Sequence, residues 1–252
     1  MRAPFLRPRG LGPRRKHVSF SFFDGVFRRF VSASFLSVED NIGNFTLLEL
    51  FHLGGPVMWP LAFFSVATFA IAIERAFVFF YSDLRVERER KEVSRLIARG
   101  DWDGAVGLLS PGAKRRAGAG ALLAFVSRAR AGAAGIEAAG KAAEAEAGRR
   151  ANALENGLGL LTALGSMAPL TGFLGTVTGM IGAFGAIAEA ADASAQTIAA
   201  GIYEALVTTV VGLAIAIIAM AAHALFSHAI ERYAFDVESA CARLAAQIEE
   251  SA

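Results

Sequence analysis

Cysteine is almost missing from this chain: Cys241 is the single one in 252 residues. That count excludes an internal disulfide and any cysteine-built metal cluster. Cys241 lies in an amphipathic tail and reads as a small buried side chain, not a reactive thiol. Charge is scarce as well, at 19% of residues against 54% hydrophobic, where a soluble domain carries about 25% charged. Catalytic signatures are lacking. There is no Walker loop, HExxH, CxxC or nucleophile–base pattern. The Gly-rich segments lie inside apolar stretches with no Lys–Ser/Thr after them, so they are not phosphate loops. The chain is read as no enzyme, with no cofactor, no metal and no nucleic-acid partner.

Long uncharged runs take the place of charge. Leu53 to Ile73 carries none, and the apolar run resumes after Glu74–Arg75 through Tyr81. Asn156 to Ala188 carries none over 33 positions, and from Ala193 to Ile230 the only acid or base besides His223 and His228 is Glu204. A span needs about 20 apolar residues, so three stretches qualify and no fourth exists. The fold class is therefore an all-α membrane protein with three transmembrane helices. A 33-residue helix would reach about 50 Å against about 30 Å of hydrocarbon. The second and third helices should project beyond the bilayer as long helices.

Of the 25 Lys and Arg, 14 lie between Arg85 and Arg150, and the stretch from Ala188 to Gly201 has none. The positive-inside rule puts the large loop and the C-terminus in the cytoplasm, with the N-terminus and a short hairpin outside. Residues 1–30 oppose this with eight Lys or Arg, and lack the continuous apolar core of a signal peptide. Residues 1–45 are read as a basic extension outside the fold or absent from the mature protein. The remaining boundaries are a lead-in and span one over 46–82, a cytoplasmic helical loop over 83–135, and a cytoplasmic extension plus span two over 136–190. A periplasmic hairpin follows over 191–200, then span three over 201–225 and a cytoplasmic amphipathic helix over 226–252.

Local signals fill in these segments. Pro56 and Pro60 fall in the first turns of span one, where proline is tolerated. Trp59 and Tyr81 stand at opposite ends, as interfacial aromatics do. The interleaved charges of VERERKEVSR read as the solvated face of a charged helix from Arg85 to Ala98, ended by Gly100. Asp101 is placed to cap a helix from Trp102 to Leu109, which Ser110–Pro111–Gly112 stops. Another loop helix is expected over about 120–131. From Ile136 an Ala-rich segment should run without a break into span two. Phe226, Ile230, Tyr233, Val237, Cys241, Leu244 and Ile248 recur at three- and four-residue spacing, one apolar seam for packing on other helices. His223 and His228 read as interfacial, not as ligands.

Spans two and three are not uniformly greasy. On a helical projection Gly165, Gly172, Thr176, Gly179 and Ala183 share one side of span two, with Pro169 beside them. Gly172–Thr176 and Gly175–Gly179 are small-xxx-small pairs, the spacing that lets backbones approach in lipid. In span three Gly201, Glu204, Ala205, Thr208 and Gly212 share a side, with Thr209 at its margin. Glu204 stands at the outer end. Either it sits at the interface, where a helix N-terminus favours an anion, or it lines the mouth of a polar passage. The small, hydroxylated faces serve packing or form a pore wall built from several copies. Threonines can guide water but cannot exchange protons near pH 7, and no Asp lies inside any span. If protons move here, the central acid is Glu204 or belongs to another chain.

The run Ala168-Pro169-Leu170-Thr171-Gly172-Phe173-Leu174-Gly175-Thr176-Val177-Thr178-Gly179-Met180-Ile181 resembles the second span of ExbB and TolQ proteins. Gly201-Ile202-Tyr203-Glu204-Ala205-Leu206-Val207-Thr208-Thr209, followed by Gly212–Leu213, resembles the start of their third. Gly54-Gly55-Pro56-Val57-Met58-Trp59-Pro60 and Ile73-Glu74-Arg75 resemble their first. The likeness covers roughly residues 47–235. It implies the MotA/TolQ/ExbB proton channel family: a pentamer in the bacterial inner membrane around the spans of a partner dimer. That ExbD-like or TolR-like partner would supply the missing Asp, and a TonB-like or TolA-like protein would receive the work. By the same resemblance Thr176 and Thr209, with Thr208, would line the proton path, and Glu204 its periplasmic mouth. Gly165, Pro169, Gly172, Gly175, Gly179, Gly201 and Gly212 would pack helices. Two departures stand out. Thr178 occupies a position where these proteins usually carry a Trp, and residues 1–45 have no counterpart in compact members. The load, TonB-type uptake or Tol-type envelope maintenance, and the ion, proton or sodium, stay open. So does a scaffold that clusters helices without conducting.

Overall fold

The computed structural model describes residues 51–82, 84, 86–113, 116–130, 133–189 and 195–251. These fall in one compact unit, Phe51–Ala252. The extension 1–45, the first part of the lead-in and residues 191–194 of the hairpin lie outside the described residues. Seven helices follow one another, with no strand among the described residues: α1 (Met58–Tyr81), α2 (Glu87–Ile97), α3 (Trp102–Leu109), α4 (Ala117–Ala129), α5 (Ala133–Glu155), α6 (Leu158–Glu189) and α7 (Ala195–Ser251). Three stretches are long and apolar enough to cross a membrane, Met58–Tyr81, Gly135–Glu189 and Ile198–Glu250. The chain is a multi-pass membrane protein.

Helix α1 begins where Gly55, at φ +63°, turns the chain, and the Met58 N–H donates to the Gly55 carbonyl at 3.1 Å. Its apolar stripe of Trp59, Phe63, Val66, Ile73, Phe77 and Phe80 is exposed, as a lipid-facing side must be. Its other side seats Met58 and Leu61 against Ala168 of α6 and Ile215 of α7. At the far end Phe79 stacks on Phe226 of α7, with ring centroids 5.0 Å apart. Ser82 closes the helix by donating its N–H and its hydroxyl to the Val78 carbonyl at 3.0 and 2.7 Å.

Helices α2 to α5 and the second half of α7 enclose a separate apolar core. Asp101 caps α3 as expected, its Oδ1 accepting the Gly104 N–H at 2.8 Å. Gly100, at φ +74°, makes the turn before it. The expected solvated face of α2 is there, with Arg88 exposed on it beside Glu92. Val93 and Ile97 are buried with Glu89, and only the remaining side is solvated. On the solvated side the Arg90 fork bonds Glu87 at 2.9 and 2.7 Å and holds that carboxyl below the usual range. Helix α4 starts at Ala117, earlier than expected, and is the centre of this core. Its glycines hid it: Gly120 leaves room for the Arg150 guanidinium, which also bonds the Ala113 and Arg116 carbonyls. At 13 residues α4 is too short to span a bilayer, so its apolar side chains are spent on neighbours.

The α7 seam meets this core as its spacing requires. Ile230, Tyr233, Val237, Cys241, Leu244 and Ile248 are all buried, and the Tyr233 hydroxyl donates to the Ala117 carbonyl at 3.1 Å. The Ala-rich segment does not run unbroken into span two. It is interrupted at Asn156–Gly157, where Gly157 takes φ +89°. The Arg75 guanidinium fills the gap by donating to the Asn156 carbonyl while also pairing with Glu74. A freed carbonyl at a helix end needs such a donor. Helix α7 also begins at Ala195, inside the stretch expected to be hairpin.

Candidate functional site

Helices α6 and α7 close on each other along glycine. A methyl placed on Gly172 would stand 2.8 Å from the Thr208 carbonyl oxygen and 3.1 Å from the Thr209 Cα. On Gly212 it would stand 2.6 Å from the Ala168 oxygen and 3.2 Å from the Gly172 Cα. Gly179 and Gly201 abut each other's carbonyls, Gly165 faces Met220, and Gly175 faces the Thr208 hydroxyl. Pro169 sits half-buried within α6, next to the fully buried Ala168. The backbones are thus near contact along the pair, the arrangement small-xxx-small spacing permits. The glycine faces are consumed by each other. Of the residues at their margins, Thr176 and Thr209 stay half-buried.

Two threonine hydroxyls converge on one carbonyl. Thr208 Oγ1 lies 3.3 Å and Thr209 Oγ1 3.2 Å from the Gly172 oxygen, and Thr208 also donates to Ala205 at 2.9 Å. Thr208, grouped above with the path-lining residues, is 0% exposed and faces α6 rather than any open surface. Its hydroxyl is occupied because close approach of the backbones leaves nowhere else for it. Thr209 is half-buried at the margin, and Thr176, one turn along α6 from Gly172, is half-buried with its hydroxyl donating to Phe173 at 2.6 Å. Each keeps oxygen lone pairs that can accept from water or a partner's acid.

Glu204 lies about 7.5 Å along the axis from Thr209 at 1.5 Å per residue. Its carboxylate rests against Gly55, where a side chain would collide with it. No described residue pairs with that carboxylate by hydrogen bond or ion pair. A cavity of about 520 Å³ opens beside it, walled by Pro56 and Val57 ahead of α1, Thr178, Gly182 and Ala183 on α6, and Gly201 on α7. The Thr178 hydroxyl donates inward, 3.0 Å to Leu174 and 3.1 Å to Gly175.

Several participants escaped the sequence reading. Gly55 entered only as part of the first-span motif, although Gly54–Gly55–Pro56 signals a positive φ as well as a helix start. Gly182 carried no signal. Thr68 of α1 is fully buried, and its hydroxyl has no partner among the described residues. No group of acids, histidines and cysteine suited to a metal occurs among the described residues.

Residues 121–239 match the MotA/TolQ/ExbB proton channel family. The biopolymer transport protein ExbB of Pseudomonas putida is 36% identical over 91 residues, 36% of this chain and 28% of that protein. The Tol-Pal system protein TolQ of Pseudomonas aeruginosa is 37% identical over 92 residues, 36% of this chain and 40% of that protein. The matches to these two therefore span well under half of either relative. A longer match, 32% identical over 182 residues, covers 69% of this chain and 68% of the biopolymer transport protein ExbB-like 1 of Synechocystis sp..

Proposed function

Because the chain belongs to the MotA/TolQ/ExbB proton channel family, we propose that it is a proton-channel subunit of an inner-membrane motor that energises TonB-dependent outer-membrane transport. One observation carries this reading. Among the described residues of α6 and α7, Glu204 is the lone acid in the apolar stretches, and it stands unpartnered beside a cavity, about 7.5 Å of helix rise from Thr209. An acid costs a few kcal/mol in or beside hydrocarbon and is kept for water, ions or a partner.

In this reading Glu204 takes up protons at the outer mouth. Thr209 and Thr176 then hold water or orient a carboxylate farther in, since a hydroxyl relays without ionising. The proton-exchanging Asp comes from an ExbD-like or TolR-like partner span, and proton flow moves that span against a TonB-like or TolA-like protein. The assembly is a homopentamer, with the charged helical cluster cytoplasmic and the N-terminus periplasmic. The TolQ match, as high in identity as the ExbB match, favours Tol-type envelope maintenance as the second reading. The closed glycine faces support a third, a scaffold that packs partner helices without conducting.

Glu204→Ala and Thr176→Val test the proposal in cells carrying the partner chains. Each should abolish energised uptake while the mass of the solubilised complex stays unchanged. Full uptake in either variant would sink the channel reading and leave the scaffold.

A further inference from the structure

Thr68 stands in the apolar middle of α1, 1% exposed, and its hydroxyl has no partner among the described residues. The hydroxyls of Ser166, Thr171 and Thr178 fold back on the carbonyl four residues earlier, the local way to satisfy such a group inside a helix. That of Thr68 does not. Thr68 follows Leu61 by seven residues, so it shares the side on which Leu61 packs with Ala168 of α6 and Ile215 of α7. The hydroxyl is buried among three apolar helices, where an unpaired polar group is most costly.

An acceptor without its donor lies at the same depth. Pro169 has no N–H, so the carbonyl of Gly165, four residues before it, loses its helix bond. Gly165 is itself buried. Two clusters bracket the level, Leu61 with Ala168 at one end and Phe79 with Leu158 at the other. Thr68 lies 7 of the 18 residues along α1 from the first to the second, and Gly165 lies 3 of the 10 along α6. At equal rise per residue both stand about a third of the way. Proline also pushes that carbonyl out of line, which opens the ladder to a side chain or a water. A water joins the two groups by accepting from the hydroxyl and donating to the carbonyl. We infer that Thr68 and the Gly165 carbonyl bind a single water inside the three-helix core, which replaces the backbone bond that Pro169 removes. Span one thereby holds the bend of α6 from outside the α6–α7 pair. The bend lies one turn from Gly172, whose carbonyl faces Thr208 and Thr209.

A double-mutant cycle read by thermal unfolding of the detergent-solubilised full chain tests it. Thr68→Val keeps the shape and removes the hydroxyl, and should lower the midpoint by about 2–4 °C. Pro169→Ala gives the Gly165 carbonyl its helix donor back. On that background Thr68→Val should lower the midpoint by less than about 1 °C, or raise it. A midpoint that Thr68→Val leaves unchanged or raises in the parent chain would mean a dry, unpaired hydroxyl and would overturn the inference. Equal losses on both backgrounds would overturn it too. Met220 reports the water itself, since its Sδ lies 2.8 Å from where a methyl on Gly165 would be. Hydroxyl radicals made from bound water by a synchrotron pulse should oxidise Met220 about threefold more slowly in Thr68→Val. In Thr68→Ser, which keeps the hydroxyl, the parent rate should hold. A rate unchanged in Thr68→Val would mean that no water sits there and would sink the inference. None of these readouts needs ion flux or a partner chain, so the site stands or falls apart from the channel reading.

Discussion

Gly212→Ala should separate the two glycine-faced helices. The added methyl would sit 2.6 Å from the Ala168 carbonyl oxygen and 3.2 Å from the Gly172 Cα. The first contact is about 0.8 Å inside ordinary van der Waals distance. Both neighbours are backbone, so no rotamer change relieves them, and α6 must move away from α7. Overpacking of this kind costs roughly 1–3 kcal/mol, while alanine in place of glycine returns at most about 1 kcal/mol of helix propensity. The net should be a loss of about 1–2 kcal/mol. The control is Gly148→Ala in α5, where nothing lies within 4 Å and the propensity gain is unopposed. Thermal unfolding of the detergent-solubilised complex reads both, at about 2–4 °C per kcal/mol for a chain this size. Gly212→Ala should lower the midpoint by about 2–8 °C and Gly148→Ala should raise it. Equal midpoints, or a rise for Gly212→Ala, would refute the close approach of the helices.

Three further outcomes follow from single contacts. Asp101→Ala removes the side-chain acceptor at the start of α3 and should cost about 1 kcal/mol of stability by the same melt, with Asp101→Asn retaining most of it. Tyr233→Phe removes the hydroxyl bonded to the Ala117 carbonyl; about 1–3 kcal/mol should be lost, and a neutral result would mean water already serves that carbonyl. Arg75→Met removes the donor at the α5–α6 break and should speed amide hydrogen exchange over residues 152–160, leaving α7 unchanged.

Three spans, the Asp101 cap and the seam ending at Ile248 were legible because each is set by local spacing. Uncharged length, a capping residue before a short apolar run and an i, i+3/i+4 repeat need no partner to be recognised. The glycine faces of α6 and α7 were legible only in half. A projection identifies which residues share a face, but each face was missing its partner, and the partner was the other helix. That is why the burial of Thr208 against α6 could not be foreseen. The break at Gly157 was hidden because the residues before it are strong helix formers and one glycine among many carries little weight. At α2 the alternating charges concealed that Val93 and Ile97 form a buried edge. The cavity could not be read at all, since α6, α7 and the turn before α1 must meet to form it.

Helix α7 runs for 57 residues without interruption, about 85 Å at 1.5 Å per residue. Its neighbour is divided into two rods at Gly157. One long member is therefore a stiff boom and the other is jointed. A tilt of about 5° at the Glu204 end would carry the opposite tip of α7 through about 7 Å, and only the jointed helix could bend to follow.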